Sequence, residues 1–507
     1  MRSRATLTSC FVLALAATFG VARGEELSQK VDPWVLETAS RGDTEFLVML
    51  REQGDLRGAR ALSSKAQKGA FVMDALRSTA ERSQRPLLEF LVRRGVEHRP
   101  FWVANMIWVR GSSSLIEELA ARSDVFHIYA NPKVRFDGPV ASGPAPDFPA
   151  SPDAIEWGVV KVHAPEVWAL GFTGQGIVVG GQDTGYEWDH PAIKLKYRGW
   201  LGLAANHNYN WHDAIHSGGG SCGADSAEPC DDHSHGTHTM GTMVGDDGFS
   251  NQIGVAPGAK WIGCRNMDEG VGTPTTYSEC FEWFIAPTNL AGANPDPAKA
   301  PHVINNSWGC PPSEGCTDPA ILQTVVENTR AAGIEVVVSA GNAGSGCSSV
   351  EDPAAIYDAS FSIGATDSSD NIAGFSSRGP VTIDGSGRMK PDVSAPGVDC
   401  VRASPAGATP TSAARAWPGH TSRASSPWSC RPAPRSSTIR MRSSPHSPLR
   451  RSRARRVRPA EACRAARSRT TPTAGAVSTR SPPSAPPGRT SRSHRRTLRI
   501  PPFPARP

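Results

Sequence analysis

Asp231-Asp232-His233-Ser234-His235-Gly236-Thr237-His238-Thr239-Met240-Gly241-Thr242-Met243-Val244-Gly245 sets an imidazole at the mouth of a Gly/Thr/Met run. Such a run suits a helix that starts at a chemically active surface and then enters a core, its glycines permitting close packing. His235 is therefore the candidate general base. Two other readings stand beside it: a transition-metal site, and a merely structural histidine cluster. A metal site asks for ligands at fixed offsets on one helical face, as in H-E-x-x-H, and no glutamate separates His235 from His238.

Working outward, 507 residues leave room for more than one domain. Residues 1–24 combine a basic start (Arg2, Arg4), an apolar run over 10–17 and small residues at Ala22 and Gly24. That is the pattern of a secretory signal peptide, too short to span a bilayer, and no later segment is long and apolar enough to do so. The net charge of +6 averages two unlike parts. From Cys400 onward there are 23 arginines, no lysine and a single acid, Glu461, so the preceding part is acidic. Setting aside Cys10 in the signal and Cys400, Cys430 and Cys463 in the tail, seven cysteines remain. An exported chain permits disulfides. Cys222 with Cys230 and Cys310 with Cys316 close the shortest loops, connectivity does not follow from sequence, and an odd count leaves one thiol over.

Residues 25–136 alternate strand and helix: strand 45–51, a helix over 64–94 that breaks before Pro86, strand 101–110, helix 113–121 and strand 125–130. This spells a small α/β sandwich. Residues 137–154 are rich in Pro, Ala, Ser and Gly and read as an exposed linker. Beyond it, apolar β-branched runs at 177–179, 260–263, 302–305, 334–338 and 361–364 alternate with helical patterns, one of them over 320–332. Continuous apolar strands between helices predict an α/β fold with a mainly parallel sheet covered on both faces, its chemistry at the carboxyl ends of the strands.

Three candidates sit at those ends. Asp183 follows the first strand in a tight Asp-Thr-Gly turn; with His235 it would fix the imidazole tautomer and stabilise the imidazolium formed in acyl transfer. Asn342, in Ser339-Ala340-Gly341-Asn342, could donate to a developing oxyanion. Asn305-Asn306-Ser307-Trp308-Gly309 offers extended backbone able to pair with a peptide. The bland alternatives are a turn-forming Asp, an Asn taking a left-handed turn between glycines, and a plain strand-to-loop turn.

In this order, Asp183-Thr184-Gly185, His235-Gly236-Thr237-His238, Ser307-Trp308-Gly309, Ala340-Gly341-Asn342 and Lys390-Pro391-Asp392-Val393-Ser394-Ala395-Pro396-Gly397 resemble the subtilisin-like serine proteases, the bacillopeptidase F-like group in particular. The resemblance covers 155–399 and implies a subtilisin-like catalytic domain. In it Asp183 orients, His235 is the base, Asn342 serves the oxyanion, and Ser307, Trp308, Gly309, Ala340 and Gly341 line the substrate cleft. Glu351 falls near the floor of the primary pocket, where an acid would favour basic side chains; an exposed loop acid is the other reading. Residues 25–136 look like the family's inhibitory, folding-assisting propeptide. The resemblance further implies a secreted, monomeric zymogen acting on protein or peptide substrates and binding its own propeptide. It implies no required cofactor and no partnership with nucleic acid or membrane. Calcium is a common structural ion in the family, but the chain has no D-x-D-x-D-G loop.

One departure matters. The family's nucleophilic serine lies in Gly-Thr-Ser-Met-Ala, and this chain lacks that motif. Over 400–507 the strand and helix patterns stop and the composition turns to Arg, Pro, Ser and Ala. A basic disordered tail for nucleic acid is one reading, though it lacks interleaved aromatics for stacking bases. The codons of residues 413–424 supply another: joining each third base to the next two permits Gly-Thr-Ser-Met-Ala-Gly-Pro-His-Val-Ala-Gly. From Cys400 the same frame permits Arg-Ser-Ser-Val-Pro-Gly-Gly-Gly-Tyr. The expectation is one missing base near the Asp399/Cys400 codon boundary, with the nucleophile encoded across the codons of Arg415 and Ala416 but untranslated, and the chain as written inactive. The alternative is a catalytically dead, peptide-binding relic.

Overall fold

The computed structural model describes residues 29–136, 155–248, 252–398 and 400. The expected signal segment, the linker and the tail beyond Cys400 lie outside the described residues.

The first lobe is an antiparallel sheet of β1 (Thr44–Leu50), β2 (His98–Phe101), β3 (Met106–Gly111) and β4 (Val125–Ala130), in the order β2-β3-β1-β4. Phe46, Val48 and Leu50 of β1 pack with Leu87, Leu91, Leu115 and Leu119 of the helices Arg85–Arg93 and Ser113–Ala120. Leu47 and Met49, on its other side, join Val72 and Leu76 of the helix Lys65–Ser83 and the core of the larger lobe. A strand buried on both faces reads as an unbroken apolar run, which is how β1 reads.

One boundary differs from expectation. The strand over 101–110 is a hairpin of β2 and β3, turning at 102–105 where Asn105 takes φ 45°. The helix over 64–94 breaks before Pro86 as expected, into two helices that meet at Gln84, whose buried amide donates to the Phe101 carbonyl at 2.8 Å and to Asn105 Oδ1 at 3.0 Å. The hairpin turn shares that contact, which alternation along one strand cannot report.

The larger lobe is built on seven strands: β6 (Val178–Asp183), β7 (Trp211–Asp213), β8 (Lys260–Arg265), β11 (Val303–Asn306), β12 (Glu335–Ser339), β13 (Phe361–Thr366) and β14 (Val393–Pro396). Their order is β14-β13-β12-β11-β6-β8-β7, with every neighbouring pair parallel. One face packs against the helices Pro274–Ile285 and Gln323–Ala331 through Phe281, Phe284, Val325, Ile304, Val336 and Val338. On the other face the helix His235–Val244 meets β6 and β8 through Met240, Val244, Val179 and Trp261. The carboxyl ends of β6, β11 and β12 thus stand side by side.

That second face is unevenly covered. The register Gly181↔Asn305↔Val337↔Phe361 carries it from the His235 helix across to β13, and Ile363↔Val393 carries it to β14. Phe361 and Val393 are 39% and 45% exposed, and Val337 and Ile363 are only half-buried.

Disulfides join Cys222–Cys230, Cys310–Cys316 and, unforeseen, Cys264–Cys280 between β8 and the helix Pro274–Ile285. The expectation of one leftover thiol is overturned: Cys347 and Cys400 are also disulfide-bonded, so Cys400, set aside with the tail, belongs in the cysteine count. Among the described residues no helix is long and apolar enough to cross a membrane.

Candidate active site

Asp183 ends β6 and is fully buried. Its Oδ1 accepts from His235 Nδ1 at 2.6 Å and from the Thr184 N–H at 2.8 Å; its Oδ2 accepts from Thr239 Oγ1 at 3.2 Å. His235 is the first residue of its helix, and Thr239 lies one turn later. With Nδ1–H given to the carboxylate, Nε2 is the basic nitrogen. Among the described residues Nε2 is buried without a hydrogen-bond partner.

Asp231 holds strand and helix together. Its Oδ1 accepts from Thr184 Oγ1 at 2.8 Å and from the N–H groups of His233 and Ser234 at 3.1 and 2.8 Å. Its Oδ2 accepts from the N–H and hydroxyl of Thr237 at 2.9 and 2.6 Å. Thr184 Oγ1 in turn accepts from the Gly236 N–H at 2.9 Å. One carboxylate therefore satisfies helix N-terminal donors while tying the Asp183 turn to the His235 turn. The two backbones touch so closely that a Cβ on Gly236 would collide with the Gly185 carbonyl.

A segment of the first lobe covers this pair. β5 (Val134–Arg135) pairs antiparallel with β10 (Val271–Gly272), which continues to β9 (Met267–Asp268). The Phe136 N–H donates to the Gly270 carbonyl at 2.7 Å, and the Phe136 and His235 ring centroids lie 4.1 Å apart. Residues 134–136 thus lie along the groove as an added edge strand.

Beside them is a pocket lined by Ser307, Trp308, Gly309, Ser339, Gly341, Asn342, Glu314, Glu351 and Asp352. Ser307 accepts from Asn305 Nδ2 at 2.9 Å, and Trp308 stacks on Tyr277 with centroids 3.8 Å apart. Gly341 takes φ +97°, turning the chain after β12 so that Asn342 enters the pocket. Burial, with Glu351 and Glu314 nearby, pushes the Asp352 carboxyl up to about 7.

The structure brings Asp183 and His235 into contact and gathers Ser307, Trp308, Gly309, Gly341, Asn342 and Glu351 around one pocket. Ala340 instead packs in the core at 1% exposure. Sequence reasoning missed Phe136, Glu314, Asp352 and the Asp231 clamp. Asp231 had a signal, an acid four residues ahead of a helix start; β5 and β10, two residues each, carry no periodicity to find. The His235 and His238 rings meet edge to face at 6.3 Å, and among the described residues no three ligand-type side chains are grouped so as to hold a metal ion.

The subtilase family model matches residues 174–431, and the chain belongs to that family of serine endopeptidases. It is 38% identical over 366 residues to Bacillopeptidase F of Bacillus subtilis (strain 168), covering 69% of this chain and 24% of that protein. To Subtilisin E of the same strain it is 29% identical over 256 residues, half of this chain and 55% of the relative. To Subtilisin BL of Lederbergia lenta it is 30% identical over 227 residues, 45% of this chain and 69% of the relative. The chain thus spans about a quarter of Bacillopeptidase F and about half of Subtilisin E.

Proposed function

We propose that the chain is the precursor of an exported serine endopeptidase whose nucleophile has been lost from the translated frame. The carrying observation is the Asp183–His235 contact with an unpartnered Nε2 on its outer side. Nε2 would take a serine proton as the hydroxyl attacks a peptide carbonyl and return it to the leaving amine, while Asp183 holds the tautomer. Asn342 would donate to the oxyanion and the 307–309 strand would pair with the substrate.

Residues 25–136 act as the inhibitory propeptide and 137–154 as its cleavable linker. Supporting this, β5 lies along the groove, and Glu282 of the larger lobe accepts from the Trp102 and Val103 N–H groups of the first lobe at 2.7 and 2.9 Å.

Two observations favour a lost base. The family match runs to residue 431, so the change of composition falls inside the family's span. Parallel sheets are covered on both faces, yet Phe361 and Val393 remain exposed on the face that carries the His235 helix, where an amphipathic helix such as Gly-Thr-Ser-Met-Ala-Gly-Pro-His-Val-Ala-Gly could pack. The relic reading draws on the absence of Gly-Thr-Ser-Met-Ala.

The gene separates the two. An Arg415 codon not ending in A or T, with no neighbouring indel, excludes a hidden Ser or Cys and leaves the relic. A codon ending in A, followed by casein clearing once a base is inserted near the Asp399/Cys400 codon boundary, supports the peptidase.

A further inference from the structure

The pocket floor is acidic and incompletely paired. Asp352 Oδ1 is closed to solvent and has no hydrogen-bond partner among the described residues, and the backbone partner of the carboxyl is the Cys310 N–H. Two side-chain-free positions lie against it: a Cβ on Gly341 would stand 2.6 Å from Asp352 Oδ2, and one on Gly309 would stand 3.2 Å from it. Glu351 and Glu314 add like charge, and among the described lining residues the only cation is Arg135, in the segment a substrate would displace. A shielded carboxylate with an unused oxygen rewards a donor that carries positive charge, whereas a hydrocarbon would leave it unpaired.

We propose that this pocket receives one organic cation, the guanidinium or ammonium end of an Arg or Lys side chain, with Asp352 as its counter-charge. The inference rests on the reading of the groove as a peptidase cleft and moves the selecting acid from Glu351 to its buried neighbour. Glu351 and Glu314 act from the pocket wall. The Asp352 carboxyl, raised to about 7, strengthens the site as pH rises from about 6 to about 8.

Calorimetric titration of the full chain with benzamidine, and with benzamide as the neutral isostere, tests this without needing a nucleophile. Saturable benzamidine binding is expected, at least about ten-fold tighter than benzamide and weakened at least about ten-fold in Asp352→Asn. Glu351→Gln should lose less. Near-ultraviolet circular dichroism checks that Asp352→Asn is folded, and the benzamide comparison on the unsubstituted chain needs no variant. Equal binding of the two probes, undiminished binding in folded Asp352→Asn, or no benzamidine binding overturns the proposal. Asp352-dependent binding in a chain that stays inactive after frame restoration keeps the cation site and removes the peptidase reading; casein clearing without it does the reverse.

Discussion

His235 Nδ1 stands 2.6 Å from Asp183 Oδ1, with the two side chains 4% and 1% exposed. In so dry a place the carboxylate can only accept, so the ring proton is fixed on Nδ1 and the base on Nε2. Asp183→Asn allows the amide to donate to Nδ1 and reverses the tautomer. In the frame-restored enzyme kcat should fall about ten-thousand-fold with KM little changed. Steady-state kinetics on a chromogenic peptide check it, and a loss of only a few-fold would detach Asp183 from the chemistry.

The Asp231 clamp should matter for stability as well as geometry. Asp231→Ala orphans the buried Thr237 N–H and frees Thr184 Oγ1, at a cost of about 1–3 kcal/mol for the unsatisfied groups. Asp231→Asn, which keeps one acceptor oxygen, should lose less. Urea unfolding of the full chain measures both, and equal stability of all three chains would show the clamp to be idle.

Docking of the two lobes should depend on pH through Glu282. Burial raises its carboxyl from 4.5 to about 8 while the first lobe is docked. Undocked and hydrated, it returns to its ordinary value, so the docked state favours the protonated form. Docking is then at full strength below about 4.5 and weakens as pH rises through about 8. Protection of the Trp102 and Val103 amides, corrected for the intrinsic pH dependence of exchange, should fall across that window and lose its trend in Glu282→Gln. An unchanged trend in the variant would assign the effect elsewhere.

The cysteine state has its own check. Non-reducing peptide mapping should find both Cys347 and Cys400 oxidised. A free thiol at Cys347 or Cys400 would contradict that part of the fold.

Much of this was legible because the signals are local. The Val-rich run that became β12 and the glycine-flanked turn after β6 carry their conformation in a few residues, and the ordered motifs carried the Asp183–His235 pairing across 52 residues. What escaped depends on distant contacts. The chain turns between β2 and β3 where the Gln84 amide binds Phe101 and Asn105, Phe136 reaches His235 only once β5 docks on β10, and Cys264 finds Cys280 through the packing of a helix on β8. Asp352 carries no signal in the sequence that sets it apart from Glu351; its shielded oxygen beside Gly341 does.

The central claim is that Asp183, His235 and Asn342 are arranged around a serine the written frame omits, and fluorophosphonate labelling tests it most directly. The chain as written should take up no label. With one base restored near the Asp399/Cys400 codon boundary it should be labelled at the serine of Gly-Thr-Ser-Met-Ala, and His235→Ala should abolish the label. A restored, folded chain that stays unlabelled would contradict it.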